Sequence, residues 1–137
     1  MEISAIERKN AAVKIQLEAA AGNVIRSYAS GRVTVNQDVY TTSVIITPER
    51  IVADWRPGRF SDLIPADFDA ICELQPEVVL LGTGIRLRFP AAELTRSLVA
   101  AQIGFEVMDT GAACRTYNVL MSEGRRVAAA LLIESTG

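Results

Sequence analysis

Two short glycine-bearing segments and one cysteine carry the chemistry this chain can offer. Gly82-Thr83-Gly84 and Asp109-Thr110-Gly111 each bring backbone donors and a hydroxyl together, and Cys114, Arg115, Thr116 and Asn118 follow the second segment closely. Glycines let backbone N–H groups approach a ligand, and a helix starting near Gly111 presents its positive end to an anion. Arg86, Arg88 and Arg115 would add charge-assisted contacts. The pattern predicts a small anion-binding pocket over Gly82, Thr83, Gly84, Thr110, Gly111, Cys114, Arg115 and Asn118. Plain turn chemistry is the competing reading, because Gly-Thr-Gly is neither GxGxxG nor a phosphate loop of the GxxxxGK[ST] type.

Cys114 has two readings as well. In the first turn of a helix the dipole lowers a thiol's pKa, which suits a reactive or ligand-contacting thiolate. Beside Ala112 and Ala113 it suits packing, since free cysteine often behaves as a small hydrophobe. The chain contains no histidine. Ser-His-Asp and Cys-His catalysis and His-ligated metal are therefore excluded within it, and a general base would be a carboxylate, Lys, Tyr or thiolate. No metal site and no cofactor are read from the motifs.

The elements that position these residues follow from periodicity. Val78 to Leu81 is an unbroken apolar run, as expected of a strand covered on both faces. Pro90 is expected to open a helix carrying Leu94, Leu98 and Ala101, with Gly104 ending it. Phe105 to Met108 then forms a strand parallel to the first, as in a βαβ unit with a right-handed crossover. Asp109 or Thr110 caps a third helix with Ala112, Ala113, Tyr117, Leu120 and Met121 inward. Gly124 ends that helix, and Val127 to Ile133 closes the sheet. Upstream, residues 24–55 read as an antiparallel meander with a turn at Asn36-Gln37-Asp38 and Trp55 as a packing anchor. Pro65 opens a short helix with Phe68, Ile71 and Leu74 on one face and Cys72 at the edge of the core. The fold class expected is α/β, a three-layer single domain around a central mixed β-sheet. Its parts are an N-terminal arm or helix over 1–22 and one globular domain over 23–137.

A chain of 137 residues suits one domain, and at this length folding buries about 70% of the unfolded surface. The formal charge of −2 argues against nucleic acid, which asks for a concentrated basic face. Two cysteines are too few for a disulfide scaffold or a cysteine-rich zinc site, and reduced thiols in a cytoplasmic setting are the simplest expectation. The mixed charges of residues 1–21 suit neither a signal nor a transit peptide. The apolar run at Val127 to Ile133 is far short of a membrane span.

At Leu81-Gly82-Thr83-Gly84, and over Met108-Asp109-Thr110-Gly111-Ala112-Ala113-Cys114-Arg115-Thr116-Tyr117-Asn118, the chain resembles a known family. This is the domain-of-unknown-function family that includes the mitochondrial NADH:ubiquinone oxidoreductase (respiratory complex I) assembly factor 3. The likeness runs from about Tyr28 to Ile133 and takes in Val35-Asn36, Tyr40, Ser43-Val44, Pro48, Trp55 and Glu123-Gly124-Arg125. Gln37 and Thr42 depart from it, where glycines are expected. The resemblance implies a three-layer domain on a mixed sheet. Its eukaryotic members are assembly proteins, its bacterial members have no settled activity, and the lack of a transit peptide points to a bacterial-type member. The leading expectation is thus a non-enzymatic binding or assembly-factor-like protein. Its partners would be membrane or respiratory complex subunits, and it would act in the cytoplasm or peripherally at a membrane. The alternative is a small-anion-binding protein or a thiol-dependent enzyme using the Gly82–Gly84 and Thr110–Cys114 loops.

Overall fold

Alternation along three strands sorts the core into two halves. Val44, Ile46, Val78, Leu80, Val127, Ala129 and Leu131 face one side of a sheet, while Ile45, Val79, Leu81, Ala128, Ala130 and Leu132 face the other. Successive strand side chains point to opposite faces, so these strands need cover on both. A computed structural model describes residues 22–134 and supplies that cover. The arm expected over residues 1–22 lies, apart from Gly22, outside the described residues.

The central sheet has five strands in the order β5-β4-β8-β6-β7. They are β4 (Val44–Ile46), β5 (Ile51–Val52), β6 (Val78–Gly82), β7 (Gly104–Met108) and β8 (Val127–Leu131). β6 runs parallel to both β7 and β8, with Gly82 level with Met108 on one side and Leu131 on the other. β4 runs antiparallel to β8 and β5 antiparallel to β4, which makes the sheet mixed. β8 is mostly alanine through its middle, a poor strand former on propensity alone. Pairing on both edges holds it, and its small side chains leave room for the bulky neighbours on each face.

One outer layer consists of α1 (Pro65–Cys72) and the five-residue α2 (Arg96–Ala100). Phe68 in α1 meets Trp55 and Phe105 edge to face, with ring centroids 6.5 and 6.1 Å away. Trp55 is the expected anchor, and its indole N–H donates to the Asp67 carbonyl at 3.3 Å. Cys72 sits half-buried at the edge of this half-core. The other layer holds α3 (Thr110–Ser122) and a separate three-stranded antiparallel sheet, β1 (Ile25–Ala29), β2 (Arg32–Val35) and β3 (Asp38–Tyr40).

Two expectations need correction. The N-terminal antiparallel meander is present as β1–β3, a sheet of its own, but it does not extend over 24–55, because β4 and β5 join the central sheet. Val44, Ile45 and Ile46 are fully buried on both faces, which demands a central position, whereas β3 exposes Val39. The helix after Pro90 is also shorter than expected. The chain is irregular to Ala91, makes a 3-10 turn over Ala92–Thr95, and is α-helical only over α2. Leu98 is buried, but Ala101 is exposed. The helix ends before Gly104, the residue expected to stop it, with Gln102 in the left-handed cap position at φ 58°. Gln102 N–H donates to the Val99 carbonyl and Ile103 N–H to the Leu98 carbonyl, both at 3.0 Å, the pairing that closes a helix in the Schellman manner. Gly124, at φ 78°, closes α3 in the same way as expected.

Candidate functional site: a latch at the strand ends

The two predicted loops do meet. Parallel pairing puts the C-terminal ends of β6 and β7 side by side, so Gly82-Thr83-Gly84 lies against the start of α3. What joins them is Thr110, 1% exposed. Its hydroxyl accepts from Gly84 N–H at 2.8 Å and donates to the Leu132 carbonyl at 2.9 Å. Its own N–H donates to the Gly84 carbonyl at 2.9 Å, and Leu132 N–H donates to the Gly82 carbonyl at 2.9 Å. One side chain therefore ties three chain segments. Gly82 must be glycine for this approach: a Cβ there would stand 2.9 Å from Thr110 Cα and 3.0 Å from its hydroxyl.

Asp109 caps α3 by accepting from Ala112 N–H at 2.8 Å. Thr83 N–H is taken by the Met108 carbonyl at 2.9 Å. Several donors that an anion would use thus already have partners inside the protein. The space between the loops measures about 10 Å³, room for one water at most, and the Glu134 carboxylate lies against Gly84. A cleft of about 250 Å³ opens instead beside the N-terminal ends of β6 and β8, lined in part by Glu49, Gln75, Pro76, Arg125 and Arg126. Arg125 there pairs with Glu77 at 3.3 Å.

The remaining predicted residues separate. Cys114 is 4% exposed and packs in the half-core beneath α3. Burial pushes its thiol up to about 12 from an ordinary 9.0, against the opposing pull of Arg115 and with help from the Asp109 carboxylate. Desolvation outweighs the helix-start field that the sequence suggested would lower it. Arg115 is exposed on the outer face of α3. Asn118 acts as a clamp: Ile25 N–H donates to its Oδ1 at 3.0 Å and its Nδ2 donates to the Ile25 carbonyl at 2.7 Å. It pairs with β1 as another strand would. Tyr117 adds a bond from its hydroxyl to the Asn23 carbonyl at 2.7 Å. Among the described residues no group of three or more His, Cys, Asp or Glu could hold a metal ion, and no helix is long and apolar enough to cross a membrane.

Two features escaped the sequence reading. Asp67 is buried, accepts from Ile64 N–H at the start of α1, and takes two bonds from Arg56 at 2.8 Å. Its spacing after Pro65 was the available signal, since an acidic residue at the third helical position reaches back to the cap. The loop after the latch exposes Ile85, Leu87 and Phe89 by 61%, 52% and 74%. Arg86 and Arg88, expected as anion contacts, alternate strictly with these apolar residues, and that alternation is the sequence signal for the loop.

Comparison with known proteins bears on the family and the fold. A family model described as "Protein of unknown function (DUF498/DUF598)" matches residues 25–132. The chain is 36% identical over 132 residues to the NADH dehydrogenase [ubiquinone] 1 alpha subcomplex assembly factor 3 of Danio rerio, covering 95% of this chain and 75% of that protein. It covers 65% of the length of the cattle and human proteins of that name. A crystal structure from Bordetella parapertussis superposes with a TM-score of 0.78 at 42% identity, over 83% of this chain and 98% of the other. The crystal structure of an outer membrane protein from Bartonella henselae gives 0.69 at 32% identity, over 85% and 98%. With most of the described fold matched, from β1 to the end of β8, the chain belongs to the DUF498/DUF598 family of proteins of unknown function, the family that also holds the complex I assembly factors it resembles.

Proposed function

We propose that this chain is a non-enzymatic binding protein of the assembly-factor kind, working with respiratory complex subunits at the cytoplasmic face of a membrane. The observation that carries the reading is the Thr110 latch. The strand-end edge where a parallel sheet usually receives ligands is closed by the protein's own donors and acceptors. Cys114, the thiol close to that edge, is buried and held protonated. Chemistry on a small substrate thus has little to work with there, while the outer faces of the domain are free to meet a protein. The name of the Danio rerio relative, an assembly factor, supports the same reading.

A small anion at Gly82–Gly84 and Thr110–Cys114 is the competing proposal, and the geometry lends it less support. Gly84 N–H and Thr110 N–H would have to leave their present partners, and Glu134 would have to move from Gly84. The test of the leading proposal is crosslinking of the tagged full chain in native membranes and lysate, followed by identification of what co-purifies. Subunits or assembly intermediates of NADH:ubiquinone oxidoreductase are expected. Recovery of the chain with itself alone counts against the proposal.

A further inference from the structure

The loop over residues 85–89 is built to hold apolar side chains in the open. Thr83 folds it: the hydroxyl donates to the Arg86 carbonyl at 2.6 Å and accepts from Arg88 N–H at 3.2 Å. Ile85, Leu87 and Phe89 are therefore exposed on an internally bonded turn. The other exposed large apolar residues, Val39, Ile64, Val99 and Val119, stand apart from one another in sequence, whereas these three fall within five positions. A cluster of exposed apolar groups marks a surface that meets something less polar than water.

The interleaved charges say what that something is. Arg86 and Arg88 are both exposed, no carboxylate occurs in sequence between Glu77 and Glu93, and the one carboxylate placed against the start of the loop is that of Glu134, beside Gly84, among the described residues. Arg88 lies over the Phe60 ring, its guanidinium carbon 5.7 Å from the centroid, so its charge is held at the loop's base beside the apolar residues. Apolar side chains alternating with arginines suit a layer that is hydrocarbon within and anionic at its surface, which is the lipid–water interface. Arg86 and Arg88 would supply this loop's attraction to such a surface, although the whole chain carries a formal charge of −2.

We propose that Ile85, Leu87 and Phe89 insert at an anionic lipid surface, with Arg86 and Arg88 on its phosphate headgroups. This deepens the proposed work at a membrane face and rests on it, but the test needs no partner protein, so the two stand or fall separately. Purified full-length chain is sedimented with vesicles of phosphatidylcholine alone and of phosphatidylcholine mixed with phosphatidylglycerol. Binding is expected only to the mixed vesicles and is expected to weaken in high salt. Phe89→Ser should weaken it by about ten-fold, and R86E with R88E by about thirty-fold or more at low salt. Arg86 and Phe89 are exposed, so their replacement should leave the melting temperature unchanged, and loss of the Arg88 contact with Phe60 should lower it only slightly; Leu87→Ser replaces any variant that fails to melt cooperatively. The proposal is overturned by absence of binding to the mixed vesicles, by equal binding to the neutral ones, or by loop variants that bind as the parent does.

Discussion

Replacing Thr110 by valine tests the latch with almost no change in shape. Valine fills the threonine volume, and with Thr110 only 1% exposed the hydroxyl has no stand-in beyond the one water that the adjoining space could hold. Two buried groups lose their partner at once: Gly84 N–H, now bonded at 2.8 Å, and the Leu132 carbonyl, at 2.9 Å. A buried group left unsatisfied costs about 1–3 kcal/mol. The Leu132 carbonyl can relax slightly and Gly84 retains the bond from Thr110 N–H to its carbonyl, so the sum is expected near 3 kcal/mol. For a domain of this size each kcal/mol moves the melting midpoint by about 3–4 °C, which gives a fall of roughly 10 °C. Thr110→Ser keeps the hydroxyl and loses only a methyl, so its cost should stay near 1 kcal/mol. Urea and thermal unfolding of the parent and both variants decide the matter. A valine variant within about 0.5 kcal/mol of the parent, the ordinary range for surface changes, would mean that the three segments are held by packing. The hydrogen bonds of Thr110 would then not be what closes the edge.

Other outcomes follow from the same geometry. Asn118→Leu should cost about 2 kcal/mol by orphaning both backbone groups of the buried Ile25, and amide exchange should accelerate in β1–β3 before it does in the central sheet. Cys114 should resist alkylation in the native state at neutral pH and react once the chain is unfolded. Its folded pKa lies above its unfolded value, so the folded state binds the extra proton between about 9 and about 12. Stability is therefore unaffected by this group below about pH 9 and falls above it by up to about 1.4 kcal/mol per pH unit. Tyr117, also raised by burial, adds to the loss further up. Urea midpoints at about pH 8 and about pH 10 measure the difference, and a Cys114→Ala variant should show less of it.

Local signals in the chain reached the elements more easily than the contacts between them. Val78 to Leu81 announced a two-faced strand, Asp109 a cap and Gly124 a helix end, because each depends on residues a few positions apart. The roles of Thr110 and Asn118 depend on Leu132 and Ile25, 22 and 93 residues away. No periodicity carries that information, so both residues looked like ligand contacts. For the same reason the strands of 24–55 could be recognised but not assigned to two sheets, since alternation says which face is buried and not which strand lies alongside. The segment after Pro90 misled in a different way. Leu94 and Leu98 have helical spacing, but a 3-10 turn followed by a single α-helical turn satisfies it as well. Cys114 shows competing magnitudes: its place in the first turns of α3 was legible, whereas the burial that reverses its titration came only with the packed core.

The proposed role in building a membrane complex, without turnover of a substrate, has a direct genetic test. Resolving respiratory complexes on native gels from cells that lack the chain tests it most directly. Less mature NADH:ubiquinone oxidoreductase and an accumulated subassembly are expected, both restored by the parent chain and by a Cys114→Ala variant. A normal complex profile without the chain, or rescue that depends on the Cys114 thiol, would contradict it.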